Sequence, residues 1–327
     1  MHDFTYVRAR DPQEAVRALA QPGAAAIAGG TELLNWIRLG VAAPARLVDL
    51  AGLNRGVALE AGSLIIGAGA TLAEIGDDPL VQRHAAVLAE ACLRSASPQV
   101  RNRATLGGNV LQKTRCAYFR AEAPLPWACN RRAPGSGCAA LAGVNERHAV
   151  LGWTNACVAT HPSDPAVALA CLDAELDILG RAGRRRLAMT ELHRLPGDAT
   201  GADTRLEAGE LIVGFRIPVR SGERSTYVKV RERESFEYAL VSAAAAVSVT
   251  EGRIQVARLA LGSVAMKPWR LATAEGALAG RPPTRDAVGP PIRAALTEAR
   301  PLTHNGHKIE LAARAAIRAV LAAGGAA

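Results

Sequence analysis

The sequence predicts an α+β chain of two or three domains, and three observations carry that expectation. Its 327 residues exceed one domain of roughly 100–200 residues. Hydrophobic residues make up 49 % and charged residues 21 %, the balance of a folded chain with its own core. Short strand-like and helix-like pieces alternate along it, several of the helices announced by capping residues. Aromatics are only 4 %, so the core must be aliphatic, and a base-stacking surface for single-stranded nucleic acid is disfavoured.

Residues 4–7 read as a strand. Asp11, Pro12 and Glu14 then supply an N-cap, a first-turn proline and an N3 acid for a helix to about residue 20. Residues 24–28 form a short apolar strand broken by Gly29-Gly30, and Thr31 opens an amphipathic helix through Arg38. A strand at 46–50 completes a small βαβαβ unit over residues 1–54. Residues 57–60 and 64–67 pair as a hairpin. Thr71 with Glu74 is a capping box, and residues 85–96 are helical. Residues 110–159 differ in kind: four cysteines, three prolines and Gly135-Ser136-Gly137, with no sustained period. A structureless stretch of that length inside a domain is functional or disordered, and the cysteines favour functional. Asp164-Pro165 restarts a helix to Cys171, with Asp164 the expected N-cap. Strands follow at 175–179 and 211–217. A boundary falls at 220–223; strands near 226–231, 240–249 and 254–261 come next, and helices close the chain, the last over about 307–322.

Net charge is +9, from 39 basic and 30 acidic residues, with arginine dominant. Nine basic residues between Arg94 and Arg147 against two acids, Glu122 and Glu146, leave that segment at +7. Such a stretch faces nucleic acid or surrounds bound anions, and the cysteines favour anions. No apolar run reaches the ~18 residues of a membrane helix. The charged N-terminal residues do not read as a signal peptide, so the chain is expected in the cytoplasm, or in the periplasm by co-export with a partner.

Several motifs are missing. No lysine follows a glycine, so there is no Walker loop. Leu72 occupies the third glycine position after Gly67-Ala68-Gly69, which removes the simple Rossmann fingerprint. No zinc-protease or serine-hydrolase motif occurs, and no set of residues reads as a catalytic acid, base or nucleophile. Any chemistry should belong to a cofactor.

Three motifs remain. Ala26-Ile27-Ala28-Gly29-Gly30-Thr31-Glu32-Leu33-Leu34 runs strand, glycine pair, helix. Two glycines let backbone N–H groups turn inward as an anion nest, with a helix N-terminus behind them; a plain tight turn is the alternative. Thr105-Leu106-Gly107-Gly108-Asn109 repeats the pattern beside Arg101 and Arg103, and two such loops suit a diphosphate. The third motif is Cys116-x12-Cys129-x8-Cys138-x18-Cys157. Zinc sites normally start from a tight Cys pair, absent here. Disulfides need an oxidising compartment. An iron–sulfur cluster tolerates irregular spacing, and a basic surround would offset its negative charge. All three readings stay open at this point. Cys92 and Cys171 sit among apolar neighbours and read as core.

The order of these motifs, followed by residues 161–169 (HPSDPAVAL) and 210–218 (ELIVGFRIP), resembles the FAD-binding subunits of molybdenum hydroxylases over essentially the whole chain. The cysteine insertion at about 110–159 is similar to that of the flavin subunits of periplasmic aldehyde oxidoreductases and, more loosely, of 4-hydroxybenzoyl-coenzyme A reductase. The resemblance implies a two-part FAD domain of the vanillyl-alcohol-oxidase type, its parts at 1–54 and 55–219, and a C-terminal α+β domain of the CO dehydrogenase flavoprotein type at 220–327. It implies that residues 26–34 and Thr105, Gly107, Gly108 and Asn109 cradle the FAD diphosphate, that Asp164 bonds the ribose or diphosphate region, and that Ile212 and Lys229 lie by the flavin ring. It also implies a 4Fe–4S cluster on Cys116, Cys129, Cys138 and Cys157. The implied partners are a molybdenum-cofactor large subunit, a 2Fe–2S small subunit and an external electron acceptor. The reading from another class is a zinc-stabilised binding protein.

Overall fold

A computed structural model describes residues 3–197 and 201–325. The first unit winds β1 (Thr5–Arg8), α1 (Pro12–Leu19), β2 (Ala24–Ile27), α2 (Leu33–Arg38) and β3 (Arg46–Asp49) into a parallel sheet of order β1-β3-β2. The Asp11 side chain accepts from the Glu14 amide at 2.7 Å, and Pro12 fills the first turn, so the cap fixes where α1 begins.

The second sheet is antiparallel throughout. It takes β4 (Val57–Glu60), β5 (Ser63–Gly67), β6 (Glu175–Gly180), β7 (Gly183–Ala188) and β8 (Leu211–Pro218) in the order β4-β5-β8-β6-β7. Between β5 and β6 lie α3 (Leu72–Asp77), α4 (Pro79–His84), α5 (Ala86–Leu93), α6 (Pro98–Arg101), α7 (Leu106–Val110), the cysteine segment and α8 (Asp164–Cys171), and the short α9 (Met189–Leu192) follows β7. Both α5 and α8 are apolar nearly all round, which is the pattern of a helix buried on every side.

One side of each is covered by the third sheet, made of β9 (Glu223–Val230), β10 (Val241–Thr250), β11 (Arg253–Gly262) and β12 (Trp269–Arg270) in the order β12-β11-β10-β9. The rest is covered by each other and by neighbouring helices. Val241 through Val247 of β10 are all buried. With side chains alternating between faces, Ala243, Ala245 and Val247 join the core under α10 (Ala272–Leu278), α11 (Arg285–Ala294) and α12 (His307–Gly324). Ala244 and Ala246 join the core of α5 and α8 on the opposite face.

The α+β class stands, and the differences are local. The N-cap of α8 is Ser163, whose hydroxyl accepts from the Ala166 amide at 3.1 Å. Asp164 is therefore one residue inside the helix, and its carboxylate points elsewhere. The helix expected from Thr31 begins at Leu33. The edge strand β7, whose sequence is GRRRLA, has no apolar alternation; an edge strand needs a partner on one side only, so nothing in its pattern marks it. No helix among the described residues is long and apolar enough to cross a membrane.

Candidate functional site

Turns at the ends of all three sheets enclose a cavity of about 580 Å³, within the roughly 300–1,000 Å³ typical of small-molecule sites. The turn after β2 forms one wall. There Gly30 adopts φ +74°, a left-handed conformation that glycine takes without penalty. Gly29 lies so close to the next loop that an added Cβ would stand 1.8 Å from the Arg103 carbonyl oxygen. That next loop carries the second glycine pair. Thr105 caps α7 by accepting from the Gly108 amide at 3.2 Å, and Leu106 and Gly107 donate to the Ala70 and Ala68 carbonyls at 2.9 Å. The two glycine motifs, far apart in the chain, thus face each other with backbone against backbone.

Residues 26–33, Thr105, Gly107, Gly108, Asn109, Asp164 and Ile212 all line this cavity. Leu34 does not; it stands 46 % exposed on the outer side of α2. Lys229 also differs from expectation. Its side chain is 1 % exposed, with the ammonium 2.8 Å from Asp164 Oδ2 and 3.0 Å from the Arg94 carbonyl, and it does not reach the wall. Asp164 accepts from Lys229, from the Tyr227 hydroxyl at 2.6 Å and from the Ser95 hydroxyl at 3.1 Å. Lys229 neutralises a buried carboxylate that itself faces the cavity. Beside that carboxylate the Tyr227 hydroxyl is held strongly protonated, by burial first and by the Asp164 charge second.

Sequence reasoning misses Asn54, Arg115 and Tyr238, which also line the cavity. They arrive from the β3–β4 turn, the cysteine segment and the β9–β10 loop. Arg115 carries a signal as the neighbour of Cys116; the other two carry none.

Cys116, Cys129, Cys138 and Cys157 line a second, small cavity, together with Phe119, Arg131 and His148. Cys92 and Cys171 are fully buried in the main core, where burial raises their thiol pKa values. Burial also pushes Cys116 up to about 12, but the Phe119 and Tyr118 amides donate to its sulfur and pull the other way. Cys157 is likewise raised by burial, against a bond from the Ala159 amide and the charge of Arg131. Amide donors aimed at sulfur favour a thiolate. His148 Nε2 stands 3.2 Å from Cys116 Sγ, and burial, with Lys308 nearby, lowers its pKa to about 4. Among the described residues, no three His, Cys, Asp or Glu side chains converge as they would on a single metal ion.

Most of the basic segment turns inward, and of its nine basic residues Arg94, Arg103 and Arg147 are exposed. Arg115 and Arg120 turn in to Glu32 of the first glycine motif, and Lys113 and Arg131 share Asp203. Arg147 pairs with Glu232 and Glu237, and Arg132 donates to the backbone carbonyls of Phe119, Ala121, Leu39 and Gly40. These partners lie outside the segment or on its backbone, where a count of local charge does not see them.

Residues 2–220 match the family described as "FAD binding domain in molybdopterin dehydrogenase". Residues 226–323 match "CO dehydrogenase flavoprotein C-terminal domain". The chain belongs to the FAD-binding subunits of the molybdenum hydroxylases. Its relatives include the aldehyde oxidoreductase FAD-binding subunit PaoB of Escherichia coli, 41 % identical over 319 residues and 96 % of each chain. The carbon monoxide dehydrogenase medium chain of Hydrogenophaga pseudoflava is 27 % identical over 91 % of this chain and 88 % of that one. Among solved structures, carbon monoxide dehydrogenase from the same organism superposes with TM-score 0.77 at 25 % identity, covering 99 % of this chain and 98 % of that one. Quinoline 2-oxidoreductase from Pseudomonas putida gives 0.76 at 26 %, covering 99 % and 98 %. As a member of this family the chain is a flavoprotein subunit of a molybdenum-dependent oxidoreductase, and FAD is its cofactor.

Proposed function

We propose that this chain is the electron-transfer subunit of a heterotrimeric molybdenum-dependent aldehyde oxidoreductase and carries both FAD and a 4Fe–4S cluster. The observation that carries the proposal is the gathering of Cys116, Cys129, Cys138 and Cys157, scattered along an irregular segment, around one cavity. In this reading FAD takes the large cavity, with its diphosphate between the first glycine motif and the loop of Thr105, Gly107, Gly108 and Asn109, Asp164 on its ribose side and Ile212 by the ring. FAD supplies the capacity to take up electrons from iron–sulfur centres of a partner and release them to an external acceptor. The chain's own residues bind, orient and shield it. Residues 1–54 and 55–219 serve as the two parts of the FAD domain, and 220–327 as the third.

The donor set suits a cluster: four thiols, amide donors to two of them, and a buried arginine beside them. The space between these walls is about 10 Å³, room for about one water, so the cysteine side chains turn outward when a four-iron cube enters. The likeness to PaoB over 96 % of both chains supports an aldehyde over an aromatic or heterocyclic substrate.

The test has two parts. Protein purified without oxygen should contain four iron and four sulfide per chain. Cys→Ser at each of 116, 129, 138 and 157 should lower both, while Cys→Ala at 92 or 171 should not. Zinc in place of iron would overturn the cluster. The lone subunit with benzaldehyde and an electron-accepting dye should show no turnover until the molybdenum and 2Fe–2S subunits are added; bleaching of its flavin by aldehyde alone would overturn the relay role.

A further inference from the structure

We propose that Arg131 sets the reduction potential of the four-cysteine centre, with Asp203 as the carboxylate that moderates it. The inference rests on the proposed cluster. The Arg131 side chain is 8 % exposed and lies on the cavity wall. It donates to the Cys157 sulfur and lies close enough to Cys129 and Cys116 to interact with their charges. Its Nε is buried with no hydrogen-bond partner, and its Cζ stands 5.7 Å from the Phe119 ring centroid. On the outer side it shares Asp203 with Lys113. Two cations on one carboxylate leave a positive charge uncompensated beside the sulfurs, in a place where water screens it weakly.

A guanidinium cannot shed its proton in this range, so this charge is fixed. A four-thiolate cluster goes from 2− to 3− when it takes up one electron. A fixed positive charge and an N–H bond to a ligand sulfur both stabilise the more negative state, and these are the levers that set iron–sulfur potentials. Arg131 is a positioning and charge-setting residue; the cysteines alone hold the iron.

The two partners make opposite predictions. Arg131→Gln removes the charge and the sulfur bond, so the potential should fall. Asp203→Asn leaves Arg131 and Lys113 without their counter-charge, so it should rise. Arg131→Lys keeps the charge but not the fork and should fall between Gln and wild type. The experiment is a redox titration of the purified full chain with dithionite in the presence of mediators, read by electron paramagnetic resonance of the reduced cluster. Iron, sulfide and flavin per chain are measured on each sample. At the wild-type midpoint, the reduced-to-oxidised ratio should drop at least tenfold in Arg131→Gln, a shift of about 59 mV for a one-electron couple. It should increase in Asp203→Asn. If Arg131→Gln loses its cluster, the upward shift in Asp203→Asn still decides. Midpoints that do not move, or that move the same way in both variants, overturn the role of Arg131 while leaving the cluster in place. Wild-type protein without iron and sulfide overturns the cluster and this inference with it.

Discussion

Replacing Gly29 with alanine puts the contact between the two glycine loops to a direct trial. The new Cβ would meet the Arg103 carbonyl oxygen at 1.8 Å and its carbon at 2.5 Å. Both are backbone atoms, so no side chain can rotate away. Real Cβ contacts essentially never fall under 3.0 Å, so the loops must move apart until this contact clears that limit. Overpacking of that kind costs about 1–3 kcal/mol. Without flavin, the 101–109 loop can relax outward. In the proposed binding mode both loops close on the same diphosphate, so the cost falls on binding. At tenfold per 1.4 kcal/mol, FAD affinity should weaken by about 5- to 150-fold. Gly276→Ala is the control. It sits exposed in α10 with nothing within 4 Å of the added Cβ, and the substitution should stabilise by about 0.5–1 kcal/mol without touching affinity. Apo-protein is titrated with FAD by flavin fluorescence, and thermal unfolding is followed in parallel. A Gly29→Ala protein that retains one FAD per chain at wild-type affinity would refute the loop-to-loop contact as a binding element.

Lys229→Met should cost about 3 kcal/mol or more in denaturant unfolding, because removing one partner of a buried pair leaves Asp164 charged and uncompensated; a loss of less than about 1 kcal/mol would show that the Tyr227 and Ser95 hydrogen bonds suffice. Acid should destabilise the chain through three buried histidines. Burial lowers His148 and His193 to about 4 and His161 well below its usual value. The unfolded chain takes up their protons near pH 6.5 and the folded chain does not, so stability is full above about 6.5 and falls as pH drops toward 4. Unfolding midpoints measured across that window should show the slope, and His193→Gln should flatten it.

Much of the fold is legible because its signals are local. The caps at Asp11 and Thr71 act over a single turn, and the glycine pairs announce their own turns. The cysteines are legible as a set because few other roles explain four of them in so short a stretch. What escapes are properties created by distant residues meeting. Asp164 reads as a cap because Pro165 follows it, yet Ser163 does the capping and leaves the carboxylate for Tyr227 and Lys229, 63 and 65 residues on. Motif position puts Lys229 at the ring; its burial behind Asp164 depends on how β9 packs on α5 and reaches the first residue of α8, which no short window encodes. The excess of basic residues between 94 and 147 is real as a sum but is not a surface. Glu32 and Asp203, which pair with four of those cations, lie far outside the segment on either side of it.

Strand β10 belongs to two interiors at once. Every second side chain serves the helices of the C-terminal part, and the ones between serve α5 and α8 of the flavin-binding part. Most of these side chains are alanine, the smallest that still excludes water, which brings both layers close to one backbone. Cutting the chain near residue 220 would therefore not release two sound halves. It would strip the cover from α5 and α8 and bare an apolar face wide enough to drive aggregation. The two segments recognised as separate families meet along a shared wall, and they should melt in a single transition.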